Sequence, residues 1–398
     1  MRSGITRLVL IGAGPAHREV LARLTRHHPA DLQVTLLAPP PAPVHEPLVP
    51  AVVAGRYTAD ACRVGLSGLL TLAHARWVPG RCLALDLEGR RVHAAPADGG
   101  AALELPFDLL SLDTAASTDR EALEQRLPGA REQALARYPS EAFLGLWPRV
   151  VDMARERPLS IAVIGSGAAA IELVFAAAQR LRAEGLPGSI LTLLTDGGAL
   201  AGELPPDVAS RVRRELKRQR IHVLNERCTG ITVEGVRLAN GALLRCDVPL
   251  VAGAAQAPTW LRGTPLALAE GGQVLVNRFQ QSTSHPQVFA AGPAARRDDH
   301  AYPDAATTSA RAGATLAHNL LAAFEGQPLK PHWPAQRPLT RLSCGTECAI
   351  AAWGPLRAQG AWVARWKDRA ERHETAAPPP LMDETASPTQ RRHGRPVN

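Results

Sequence analysis

No stretch of 18 or more consecutive apolar residues occurs in the 398-residue chain, so no segment is long and apolar enough to cross a bilayer as a helix. The amino terminus also lacks the profile of a secretory signal. Arg2 and Arg7 flank a short strand-like run, and Gly12 and Gly14 interrupt it early. Cysteine is sparse. Six residues are spread without the spacing of a disulfide framework, which leads us to expect a reducing, cytoplasmic setting. No RNA- or DNA-reading motif is present, and the net charge of +8 is scattered apart from residues 211–220 (RVRRELKRQR) and the C-terminal tail. A nucleic-acid partner is therefore not expected. What remains, 45% hydrophobic and 21% charged residues, is an ordinary globular chain long enough for two or three domains.

The order of apolar runs and glycines organises the chain. RLVLIGAG (residues 7–14) is a strand ending in glycines. AHREVLARLTRHH follows with helical spacing, Val20, Leu21 and Leu24 sharing one face, and LQVTLLAPP is a second strand. The same β-α-β order recurs from residue 159: LSIAVIGSG, then AAAIELVFAAAQRLRAEG, then SILTLLTDG. Two such units in one chain predict a doubly built nucleotide-binding α/β architecture. Between them lie a hairpin-like stretch (77–105), the strand FDLLSLDTAAS (107–117) and a helical connector carrying Pro128, Pro139 and Pro148. After them come a basic helix (206–219), strands around the hairpin signal Asn240–Gly241, the strand HPQVFAAG and a helix over 307–326. From about residue 374 the composition reads as a disordered tail.

A dinucleotide fingerprint needs a glycine for the tight turn and a second where backbone meets a diphosphate. A third small residue lets the helix pack on the strand. The first loop reads Gly12-Ala13-Gly14-Pro15-Ala16-His17, with a bulky residue in third place. The second reads Gly165-Ser166-Gly167-Ala168-Ala169-Ala170, the G-x-G-x-x-A variant. An acid normally ends the second strand and holds ribose hydroxyls. The first unit offers only Ala38 and Pro39 there; the second offers Thr195 and Asp196. Asp196 has two readings: a ribose ligand that would favour NADH over NADPH, or half of an Asp-Gly turn.

With these motifs the chain resembles the flavin-dependent pyridine nucleotide-disulfide oxidoreductases, and within them the cysteine-free branch of type II NADH:quinone dehydrogenases. It is most similar to a bacterial subgroup fused ahead of selenophosphate synthetase. Beyond the loops, the likeness rests on FDLLSLDTAAS, RLPGAREQAL, ANGALL, LVAGAAQAP, SHPQVFAAG, ARAGATLAHNL and WVARWKD. It implies an FAD domain (1–118 and 283–330), a helical connector (119–157), an inserted NAD(P)H domain (158–282) and a C-terminal segment (331–373). By position, Gly12 and Gly14 would meet the FAD diphosphate. Thr114 to Ser117, with Ala291 and Gly292, would line the flavin. Gly165, Gly167 and Ala170 would cradle the nicotinamide nucleotide. Glu172 matches a glutamate near nicotinamide and flavin; as a bare helix-face carboxylate it reads equally as a salt partner.

The departures are specific. Pro293 stands where an aspartate would bind the flavin ribityl chain, and it has neither a carboxylate nor an N–H. Tyr138 and Asp304 replace lysines, and Ala312 a glutamine. The redox C-x4-C of disulfide reductases is absent from PPAPVHEPLVP, and no cysteine lies in residues 116–160, where a sulfide:quinone reductase would need one. Cys344 and Cys348 (CGTEC) lack a second pair nearby and read as incidental thiols rather than a metal or dithiol site. Two functions follow. One is an FAD enzyme taking hydride from NADH and passing electrons to a small-molecule acceptor, a quinone by analogy. The other is a degenerate flavoprotein fold serving as a binding or scaffold protein. Residues 360–373 place Trp362 and Trp366 on one helical face beside Val363 and among basic residues. That helix is expected to pack its tryptophans on the FAD domain, leaving at most weak binding to an anionic membrane.

Overall fold

The computed structural model describes residues 4–114, 117–186, 188–202, 204–253, 256–299, 309–333, 338–345 and 347–375, the side chains of 309–311 excepted. The tail from 376 onward, Asp304 and the first residues of the 307–326 helix lie outside this set.

The first β-α-β unit is β1 (Thr6–Ile11), α1 (Pro15–Leu24) and β2 (Leu32–Ala38). From Leu8 onward β1 is buried on both faces: Leu8 and Leu10 pack with α1, while Val9 and Ile11 join a cluster with Val92, Leu105 and Leu261. β3 (Ala75–Asp86) pairs with β2 in parallel, then turns antiparallel against β4 (Arg91–Pro96), which pairs with β5 (Leu103–Pro106). This is the hairpin expected at 77–105. β6 (Leu109–Leu112) returns to the other side of β1.

The chain then leaves this sheet. Helix α2 (Ser140–Glu156) carries Pro148 inside it. The second unit follows as β7 (Ser160–Ile164), α3 (Ala168–Ala183) and β8 (Ile190–Leu194). The basic helix α4 (Pro206–Arg218), β9 (His222–Leu224) and β10 (Val248–Val251) complete it. Its parallel sheet has the order β9-β8-β7-β10, with the short strand Leu135–Ala136 at the edge. An antiparallel trio (Cys228–Thr232, Gly235–Leu238, Leu243–Arg245) contains the Asn240–Gly241 turn, where Gly241 has φ +84° and Asn240 accepts from the Ala242 amide.

β11 (Val288–Ala290) brings the chain back to the first sheet and pairs with β6. Among the described residues that sheet is seven-stranded, ordered β11-β6-β1-β2-β3-β4-β5. The second unit is therefore inserted in the first. Helix α5 (Ser309–Glu325) packs on α1. Gly313 makes this approach possible, since a Cβ there would lie 2.9 Å from Ala16 Cα. Finally β12 (Thr340–Ser343), β13 (Ala349–Trp353) and β14 (Leu356–Gly360) form a small antiparallel sheet covered by α6 (Ala361–Thr375). The helix runs past the sequence boundary at 373 because Glu374 is held at its end. Its carboxylate pairs with His45 at 3.2 Å and Arg341 at 3.6 Å.

Candidate functional site

Both glycine loops sit at the carboxyl ends of parallel strands, where ligands bind in such sheets. In the first, Gly12 has φ +95° and a Cβ there would lie 2.3 Å from the Asp113 carbonyl oxygen. A Cβ on Gly14 would lie 2.4 Å from the Asp113 carboxylate. The glycines thus make room for Asp113. The loop's amides are directed inward as well. Gly12 donates to Leu37 O (2.8 Å) and Gly14 to Asp113 O (3.1 Å). Pro15 has no N–H. Ala16 and His17, the next two donors of the first turn, both give their amides to Asp113 Oδ2, at 2.6 and 3.1 Å.

Asp113 is fully buried, and its Oδ1 has no hydrogen-bond partner among the described residues. Burial raises its pKa, against the pull of His17 and the two amides. His17, expected to be an awkward replacement for a small residue, is also fully buried. Its Nδ1 meets Gly12 O at 2.6 Å and its Nε2 meets Ser111 Oγ at 2.9 Å. Burial lowers its pKa. A neutral ring donating to the carbonyl and accepting from the hydroxyl satisfies both nitrogens.

The residues expected to line a flavin are divided. Ala291 is buried, and its amide donates to Leu112 O, holding β11 beside β6. Gly292 has φ +63° and opens a short 3-10 turn with Pro293 and Ala294. Thr114 adjoins the Gly12 turn with its hydroxyl buried and without a partner among the described residues. Ser117 is drawn elsewhere: it exchanges backbone hydrogen bonds with Gln256 (3.0 and 3.1 Å), and its hydroxyl donates to Ala257 O. It ties together the two crossings between the sheets.

In the second loop Gly165 has φ +145° and donates to Leu194 O. A Cβ on it would lie 2.9 Å from Ala252 O and 3.1 Å from the Cβ of the buried Ala170, so the tight turn and the third small residue are mutually required. Gly167 is the extended N-cap of α3. Asp196 and Gly197 both have positive φ (54° and 76°). Asp196 Oδ2 pairs with Arg126 at 2.6 Å and its Oδ1 accepts the Cys228 amide at 2.7 Å. Both Asp196 oxygens are thus engaged within the chain, at an Asp-Gly turn.

Glu172 lies on α3 where the small sheet docks. Its Oε1 accepts the Ser343 amide (2.7 Å) and pairs with Lys367 Nζ (3.3 Å), and Lys367 also pairs with Glu371 (2.5 Å). Lys367 and Glu371 are each 4% exposed. Burial alone would lower the Lys367 pKa, but the two carboxylates outweigh it and raise it. Burial lifts Glu371 to about 7 despite Lys367. The sequence signal for this triad was weak: a lysine in the WVARWKD stretch, with no partner in its own helix except the glutamate one turn on.

The packing expected of Trp362 and Trp366 is not found. They are 57% and 41% exposed, while α6 buries Val363, Ala364, Lys367 and Glu371. Val363 and Ala364 pack against the alanines at 349 and 351 of the small sheet. Cys344 and Cys348 are buried across the β12–β13 turn, with the Cys344 amide donating to Cys348 O.

Two Rossmann-like units, one inserted in the other and capped by a small sheet and helix, define the class of two-nucleotide-domain oxidoreductase folds. The chain belongs to the pyridine nucleotide-disulphide oxidoreductase family, whose profile matches residues 6–313. Solved structures with the same fold include the sulfide:quinone oxidoreductase of Aquifex aeolicus (TM-score 0.76, 17% identity, 92% of this chain and 90% of that one). NDH2 of Plasmodium falciparum in complex with NADH superposes with TM-score 0.79 at 12% identity, over 93% of this chain and 97% of that one. A NAD-dependent persulfide reductase of A. fulgidus gives 0.69 at 16%, over 91% and 66%.

FAD is the group the resemblance implies for the first loop. As arranged, that loop does not fit its diphosphate. The Ala16 and His17 amides are committed to a carboxylate of this chain, and Pro293 offers neither a carboxylate nor an N–H to a ribityl hydroxyl.

Proposed function

We propose that the chain is an NAD(P)H oxidoreductase of the flavoprotein kind, delivering electrons to a small-molecule acceptor such as a quinone. The observation that carries this reading is the second loop. Gly165, Gly167 and Ala170 form a tight strand-turn-helix at the carboxyl end of β7, and Glu172 stands two residues beyond Ala170 in the same helix. Such a loop receives a diphosphate on the helix N-terminus. The nicotinamide end would then lie toward Glu172, whose charge Lys367 balances. NADH is the nucleotide we favour on the resemblance to type II NADH dehydrogenases alone, since Asp196 is engaged by Arg126 and the Cys228 amide. The setting we propose is cytoplasmic, with weak peripheral membrane contact through the exposed face of α6. The narrower likeness to the selenophosphate synthetase-fused subgroup rests on the sequence motifs alone.

The test is a titration of purified protein with NADH and NADPH, followed by tryptophan fluorescence. It is paired with NADH oxidation in the presence of FAD and a water-soluble quinone. Micromolar NADH binding with quinone-dependent oxidation is expected. Absence of nucleotide binding sinks the proposal. A second reading, a nucleotide-binding protein without flavin redox activity, is favoured by the Asp113 arrangement. It predicts NADH binding without oxidation at saturating FAD.

A further inference from the structure

We infer that Asp113 is an internal anion that holds the first nucleotide loop in the place of a dinucleotide diphosphate, so that FAD must displace its carboxylate to bind. The inference rests on the reading that this loop belongs to a flavin site.

The first turn of a helix attracts an anion because its amides have no partner within the helix and the dipole is positive there. In a G-x-G-P-A loop the proline removes one donor, which leaves the next two amides as the first turn's ready hydrogen bonds. Asp113 Oδ2 takes both, at 2.6 and 3.1 Å. Its carbon and both oxygens lie 2.4 Å from where a Cβ on Gly14 would be, the position that the missing side chain normally leaves open to a ligand. A diphosphate and this carboxylate would compete for the same donors and repel each other at close range. The second oxygen gives an independent sign. Asp113 is fully buried, yet Oδ1 has no partner among the described residues, and the adjacent Thr114 hydroxyl has none either. A carboxylate buried for structural capping alone would be expected to satisfy both oxygens. Here half of it is left unpaired inside the loop, so its seat is only partly stabilised and can be yielded.

The consequence is weak, displaceable flavin binding. FAD affinity is measured by flavin fluorescence quenching for the wild type, Asp113→Ala and Asp113→Asn, with NADH binding at the second loop and circular dichroism as controls of the fold. We expect both variants to bind FAD more tightly than the wild type by on the order of tenfold to a hundredfold, the worth of charged hydrogen bonds no longer contested. FAD should also raise the melting temperature of the variants more than that of the wild type. If Asp113→Ala fails to fold, Asp113→Asn decides, since it keeps the shape and an acceptor oxygen but not the charge. Equal FAD affinity in all folded proteins overturns the competition while leaving the flavin reading intact. No FAD binding by any of them, with NADH binding retained, overturns the flavin reading together with the inference.

Discussion

Replacing Lys367 with methionine tests how the C-terminal segment is held. Lys367 is the cation between Glu172 at 3.3 Å and Glu371 at 2.5 Å, and it is almost wholly buried. Methionine keeps the length of the side chain and removes the charge, so two carboxylates remain close together in a low-dielectric site. Breaking a buried ion pair from one side costs about 3–5 kcal/mol, because the partner's desolvation is no longer offset. That is a large share of a typical stability of about 5–15 kcal/mol. The damage should begin at α6 and the small sheet, which meet α3 through Glu172 and Ser343. Hydrogen exchange at the α6 amides, measured by mass spectrometry, should therefore rise before global unfolding in urea. The loss should be larger near about pH 8 than near about pH 5, where Glu371, already lifted to about 7 by burial, can accept a proton instead. Adding Glu371→Leu should restore much of the loss, since Glu172 keeps the Ser343 amide. Unchanged exchange and an unchanged urea midpoint in Lys367→Met at the higher pH would refute the reasoning.

Three further outcomes are expected. Glu371 titrates near 7 when folded, above its ordinary 4.5. The folded chain therefore binds more protons between those values, and stability should fall by up to about 3 kcal/mol as pH rises through that window; urea titrations across it should flatten in Glu371→Gln. Gly167→Val would put a branched side chain at the N-cap of α3, where the diphosphate approaches, and should abolish NADH binding in fluorescence titrations with circular dichroism unchanged; retained affinity would place the nucleotide elsewhere. The exposed Trp362 and Trp366 should give only weak binding to anionic vesicles, about 1 kcal/mol for each basic residue near the surface, so flotation should be lost in high salt; salt-resistant flotation abolished by replacing both with alanine would mean a true membrane anchor.

The two β-α-β units could be read directly, because a parallel strand, a glycine turn and an amphipathic helix are local patterns that follow one another in the chain. The Asn240–Gly241 hairpin and the basic helix Pro206–Arg218 were legible for the same reason. Helix α6 was legible as a helix but not in its orientation. Its tryptophans suggested the buried face, whereas the alanine-lined sheet selects Val363 and Ala364. Glu172 could be located from its spacing to Gly165, but Lys367, 195 residues away in sequence, is joined to it only by folding.

The first loop shows the division most plainly. The glycines at 12 and 14 and the histidine at 17 are sequence facts, and they suggested a nucleotide cradle with one poor residue. Asp113 ends a strand nearly a hundred positions later, and nothing local marks it as the loop's partner. Only the parallel pairing of β6 with β1 sets that carboxylate under the first turn of α1. Local pattern determined that the chain would build two glycine loops, each between a strand and a helix. Tertiary pairing decided which buried charges would reach them, because electrostatic partners are chosen by distance in space and not along the chain.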